Sequence, residues 1–117
     1  MTKDRMAVLA AMIDQGVIPI FYHSDIEVCR NVIQACANGG AVCVEFTNRG
    51  DFAASVFLEM ARHFASADPR VIMGAGSVVD APTAAIYIAN GARFVVGPGL
   101  NTGVARLLLA RENVRFY

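Results

Sequence analysis

Five consecutive residues, Glu45-Phe46-Thr47-Asn48-Arg49, bring a carboxylate, a hydroxyl, an amide and a guanidinium together directly behind the apolar run Val42-Cys43-Val44. An ionised carboxylate that enters a dry interior unpaired is expensive. Glu45 is therefore either one half of a structural ion pair with Arg49 or a group that moves protons. Arg49 fits both cases: it can pin a loop, or grip a planar carboxylate through two parallel N–H bonds. Three further polar groups follow short β-branched runs: His23 after Val17–Tyr22, Ser77 at the end of Gly74-Ala75-Gly76-Ser77, and Asn101 at the end of Gly97-Pro98-Gly99-Leu100-Asn101.

The elements that must position these groups alternate strictly. Lys3 to Gln15 carries Met6, Leu9, Ala10, Met12 and Ile13 at helical spacing and stops at Gly16, a natural C-cap. Val17–Tyr22 predicts a strand that Pro19 restricts to an edge. Ser24 or Asp25 caps a helix to Ala37; a strand over 41–46 follows, then a helix from Asp51 to Ala65 stopped by Asp68-Pro69. Val71-Ile72-Met73 predicts a third strand, and Asp80 caps a helix with Pro82 in its first turn. Gly91 ends that helix ahead of the strand Arg93–Val96. A helix over Thr102–Arg111 and a fifth strand over Asn113–Tyr117 complete the series. Side chains alternate across a strand, so Cys43, Glu45 and Thr47 share one face, while Val42, Val44 and Phe46 share the other.

Composition narrows the function classes. The 117 residues carry no net charge and no basic run, which argues against nucleic acid as a partner. No apolar run reaches membrane-spanning length, and the charged start Met1-Thr2-Lys3-Asp4-Arg5 does not resemble a signal peptide. The chain is 56% hydrophobic and only 17% charged, which points both to a sheet buried on both faces and to surface meant for something absent from this chain. Three cysteines without metal-type spacing suggest buried reduced thiols in a cytoplasmic protein. Phe57, Met60 and Phe64 lie at helical spacing and fit packing roles, and His63 in the same helix reads as solvent-facing or half-buried. Gly74-x-Gly76 lacks the third glycine of a dinucleotide fingerprint, since that position is Val79.

Strand–helix alternation over one domain, residues 1–117, implies an α/β fold with parallel strands and right-handed crossovers. A weak repeat agrees: Ala37-Asn38-Gly39-Gly40 and Ala89-Asn90-Gly91-Ala92 each precede a strand. Two architectures fit, a doubly wound flavodoxin-like sheet and half of a (β/α)8 TIM barrel, which needs at least about 200 residues. Polar groups at every strand end favour the barrel, because a doubly wound sheet gathers its site at one switch point.

Three motifs together resemble a known family. Glu45-Phe46-Thr47-Asn48-Arg49 is similar to the E-x-T-x-R of the second strand in 2-dehydro-3-deoxy-6-phosphogluconate (KDPG) aldolases, Gly74–Val78 to the third-strand G-[AV]-G-[TS]-V, and Gly97–Leu100 to the fourth-strand S-P-G-L. The resemblance covers the chain and about the first half of the family's length. It implies a class I aldolase, without metal or other cofactor, that cleaves a 2-keto-3-deoxy-6-phospho sugar acid to pyruvate and glyceraldehyde 3-phosphate through a lysine Schiff base. It also implies a cytoplasmic homotrimer. Glu45 would be the general acid and base; Arg49 and Ser77 would bind the pyruvate end; Pro98 would shape the pocket wall; and Thr47 would hold Glu45 or a water.

The departures from the family pattern are specific. Gly97 stands where serine is usual, Ser77 where threonine is usual, and Arg115-Phe116-Tyr117 where the family has P-x-x-P-G. The Schiff-base lysine of the sixth strand and the later phosphate loops have no counterpart, Lys3 being the one lysine in the sequence. These residues alone are thus expected to be inactive. A non-catalytic half-barrel or flavodoxin-like interaction module is the alternative.

Overall fold

A computed structural model describes residues 4–111 and, as backbone, residues 115 and 116. The order is α1 (Arg5–Gln15), β1 (Ile20–Phe21), α2 (Ile26–Asn38), β2 (Cys43–Thr47), α3 (Ala53–Ala67), β3 (Ile72–Gly76), α4 (Ala81–Ala89), β4 (Phe94–Val95), α5 (Thr102–Leu109) and β5 (Arg115–Phe116). All neighbouring strands are parallel, and the sheet order is β1-β2-β3-β4-β5. That monotonic order excludes the flavodoxin-like alternative, whose sheet reverses direction at a switch point. It is the order of successive barrel units.

Local chemistry accounts for most boundaries. The carboxylates of Asp4, Asp25 and Asp80, and the amide oxygen of Asn101, each accept a backbone N–H in the first turn of the helix that follows. Gly16 closes α1 in the left-handed conformation, φ 76°, with its N–H donated to Met12. The expected strand Val17–Tyr22 shrinks to Ile20–Phe21. Pro19 has no N–H, although its carbonyl still accepts from Glu45 N at 2.9 Å. The expected start of α3 at Asp51 moves to Ala53, behind Phe52 in a left-handed conformation. The expected end of α5 at Arg111 moves to Leu109. Lys3, Asn113 and Tyr117 lie outside the described residues.

The two faces of the sheet hold separate cores. On the outer face Val44, Phe46, Met73, Ala75 and Val95 pack under α2–α5, together with Ile33, Phe57, Met60, Tyr87 and Leu108. The inner face holds a smaller apolar cluster. There Cys43, Ile72 and Phe94 meet Val8 of α1. Two contacts seat α1: the Gln15 amide exchanges two hydrogen bonds with the Cys43 backbone, and the Arg5 guanidinium donates to the carbonyls of Leu108 in the last turn of α5 and of Arg111 just beyond it.

Candidate active site

Glu45 sits third in β2, on the inner face, one step above the Cys43 layer. It is only 6% exposed. The register explains how it fits. Glu45 pairs with Gly74 and Thr47 with Gly76, so the inner face of β3 presents two glycines where side chains would stand. A Cβ built on Gly76 would lie 2.2 Å from Glu45 Oε2, and one on Gly74 would lie 2.2 Å from the Phe94 ring. Gly74-x-Gly76 therefore makes room for a carboxylate and an aromatic ring.

Among the described residues no side chain hydrogen-bonds to the Glu45 carboxylate, and the ion pairs join Arg30 to Glu27, Arg62 to Glu59 and Arg70 to Asp68. Glu45 and Arg49 thus form no loop-pinning pair. Burial alone pushes the Glu45 pKa up, because the charged form loses water and gains no compensating partner. A carboxyl so placed holds its proton to higher pH than an exposed one, which suits a group that must both give and take a proton.

The other expected residues lie at the same end of the sheet. Thr47 is buried on the inner face above Glu45, without a hydrogen bond to it among the described residues. Arg49 is exposed just past the end of β2. Its N–H bonds to Thr47 O at 2.8 Å, and Asn48 N bonds to Gly76 O at 2.8 Å, so the chain turns tightly as it leaves the sheet. Ser77 is exposed directly after β3 and holds φ 57°, a left-handed conformation that a non-glycine residue adopts at a cost. Pro98 is exposed beyond β4. Carboxylate, hydroxyls and guanidinium therefore share the C-terminal end of two adjacent parallel strands, with Pro98 past the third, the location favoured for chemistry in barrels.

Two other polar residues at strand ends bond to nearby backbone. His23 Nδ1 accepts the Asp25 N–H at 2.9 Å, and its carbonyl accepts from Cys29 Sγ at 3.2 Å. Asn101 caps α5 and donates to Val79 O at 3.1 Å. His63 is half-buried on α3 with its ring against Phe64. A groove of about 460 Å³ lies at the opposite end of the sheet, between α3 and α4, so volume does not mark the candidate site. Among the described residues no three His, Cys, Asp or Glu side chains gather as metal ligands, and no helix is long and apolar enough to cross a membrane.

One participant escaped the sequence reading. The Tyr87 hydroxyl donates to Asn48 Oδ1 at 2.7 Å while its ring lies buried on the outer face. The available signal was a lone phenol among alanines and isoleucines on the inward side of α4, next to Ala84.

Solved structures with the same fold include the KDPG aldolase of Legionella pneumophila, which holds pyruvate captured at low pH as a covalent carbinolamine. It is 24% identical, with a TM-score of 0.78 over 94% of this chain and 50% of that one. The 2-keto-3-deoxy-6-phosphogluconate aldolase of Zymomonas mobilis ZM4, solved with 3-phosphoglycerate, is also 24% identical. Its TM-score is 0.77 over 93% of this chain and 50% of that one. The chain spans about half the length of these structures, and at such identity the likeness establishes fold. Among curated proteins none matches by sequence. A family model for KDPG and KHG aldolases matches residues 8–115, nearly the whole chain, and with the half-barrel fold and its inward glutamate this places the chain in the KDPG and KHG aldolase family.

Proposed function

We propose that these residues form the acid–base and carboxylate-binding side of a class I aldolase site. The reaction would cleave a 2-keto-3-deoxy-6-phospho sugar acid into pyruvate and glyceraldehyde 3-phosphate. The observation that carries this is Glu45: a carboxyl buried at a strand's C-terminal end, shifted upward by burial, and unpaired among the described residues. A structural ion pair would shift it the other way.

Chemically, an amine adds to the substrate ketone to give a carbinolamine. Loss of water from that adduct then needs an acid to protonate the departing hydroxyl. Cleavage of the C–C bond needs a base to take the proton of the neighbouring hydroxyl as the aldehyde leaves. Glu45, relaying through a bound water, serves both steps by cycling between its two protonation states. Arg49 takes the pyruvate carboxylate in a fork-to-fork contact, with Ser77 on the same end. Pro98 walls the pocket, and Thr47 orients the relay water. Residues 4–111 contain no lysine, so the amine is a lysine from outside them. The enzyme is a metal-free cytoplasmic homotrimer, and residues 1–117 alone are inactive.

Borohydride reduction in the presence of pyruvate tests this on the intact protein that contains these residues. A lysine adduct should appear in the intact protein, and none on the isolated 117-residue chain. Absence of any adduct from the intact protein would end the aldolase assignment. It would then favour a non-catalytic pairing module, for which Val17 and Ile20, each 64% exposed along the β1 edge, are the supporting feature.

A further inference from the structure

Arg49 lies in a turn bracketed by two tyrosines. On one side the Tyr87 hydroxyl donates to Asn48 Oδ1 at 2.7 Å. On the other, Gly50 holds φ 77° with Tyr22 so close that a Cβ there would lie 3.0 Å from the Tyr22 hydroxyl oxygen. Asn48 is the middle residue of the turn closed by Arg49 N and Thr47 O at 2.8 Å, and its own N–H bonds to Gly76 O. Its φ is not positive, so the turn is of the common inverse kind, seldom rigid by itself.

Both tyrosine rings are anchored in the outer core. Tyr87 is 1% exposed and meets Phe57 edge-on at 5.2 Å; Phe57 lies 6.3 Å from Phe46, and Phe46 meets Tyr22 at 5.5 Å. This chain of rings ties α4, α3, β2 and the segment after β1 to one turn. Burial pushes the Tyr87 pKa up to about 12, so the phenol remains a hydrogen-bond donor at any working pH.

We propose that Tyr87 is a positioning residue for substrate binding, holding Asn48 so that the turn aims the Arg49 guanidinium at the carboxylate of a 2-keto acid. The proposal rests on the aldolase assignment above. A planar fork binds a planar carboxylate only when aligned, so loosening the turn costs affinity for the acid more than it costs the proton transfers at Glu45. Glu45 stays fixed because its own strand is paired on both sides.

The test is made on the intact protein, with pyruvate as the probe ligand, by calorimetric binding, steady-state kinetics and borohydride trapping. Tyr87→Phe removes only the hydroxyl and should weaken pyruvate binding about fivefold, the effect of one lost hydrogen bond, with kcat within about twofold. Asn48→Ala should do the same, and the double variant should be no worse than either single one. On an Arg49→Lys background, whose weaker grip remains measurable, Tyr87→Phe should add less than about twofold, because an ammonium has no fork to align. The proposal is overturned if Tyr87→Phe lowers the melting temperature but leaves pyruvate affinity unchanged, or if its effect persists in full on the Arg49→Lys background. If the unsubstituted protein neither binds pyruvate nor traps it, the aldolase assignment itself has failed, and the positioning role fails with it.

Discussion

The same three strands build two unlike surfaces. Their outer face is apolar from end to end: Val44 and Phe46, Met73 and Ala75, and Val95 all lie under helices. Their inner face is apolar at Cys43 and Ile72, then brings Glu45, Gly74 and Phe94 into register one step on, with Thr47 and Gly76 beyond. Side-chain alternation is what permits this, since stability can be assigned to one set of alternate positions and chemistry to the other without either disturbing its neighbour. The difference teaches that the buried glutamate is tolerated because its neighbours on the opposite face already secure the sheet.

The largest expected effect breaks the inner face alone. Glu45→Gln in the intact protein should lower turnover by about 10²–10⁴-fold, as loss of a general acid and base does, while pyruvate binding changes little. Unchanged turnover would return Glu45 to a packing role. Breaking the outer face should act on stability instead. Phe57 is fully buried at the centre of the aromatic chain, and Phe57→Ala should cost about 3–5 kcal/mol by urea unfolding. A loss under about 1 kcal/mol would mean that the rings repack freely.

Two smaller effects sharpen the contrast through pH. Because the folded-state pKa of Glu45 is raised, its share of stability is complete below the ordinary carboxylate pKa and is lost as pH rises through the folded value. Glu45→Gln should therefore melt above the unsubstituted protein at pH 8, with the gap closing toward pH 4; a gap of the opposite sign would reveal a hidden partner for the carboxylate. Asp68, between α3 and β3, behaves oppositely. Hydrogen bonds from Arg70 and then Gln34 hold its pKa well below the usual range. Its stabilisation is present at neutral pH and fades as pH falls through the carboxylate range. Asp68→Asn should melt lower at pH 7 and converge with the unsubstituted protein at acid pH, and a deficit that persists in acid would assign the loss to packing.

Much of this was legible in the linear chain because the signals are local. The caps at Asp25 and Asp80, the stop at Gly16, and the face shared by Cys43, Glu45 and Thr47 depend on neighbours within a few residues. Strand ends were less legible: β1 is shorter than its apolar run, and Pro19, which lacks an N–H, lies just ahead of it. His23, which reads more readily as a surface-loop residue than as a substrate contact, and Asn101 were ambiguous for a similar reason: a cap and a ligand use the same side chains, and the observed partner separates them.

The sequence by itself determined strand–helix alternation, the inward face of β2 and the identity of the residues at its end, all consequences of the short-range periodicity of a polypeptide. Only the tertiary structure decided the strand order, the role of Gly74 and Gly76 as space for Phe94 and Glu45, and the bond from Tyr87 to Asn48. Each of those three depends on which strands and helices lie side by side, and residues 39 positions apart in the chain carry no mark of meeting until the sheet has brought them together.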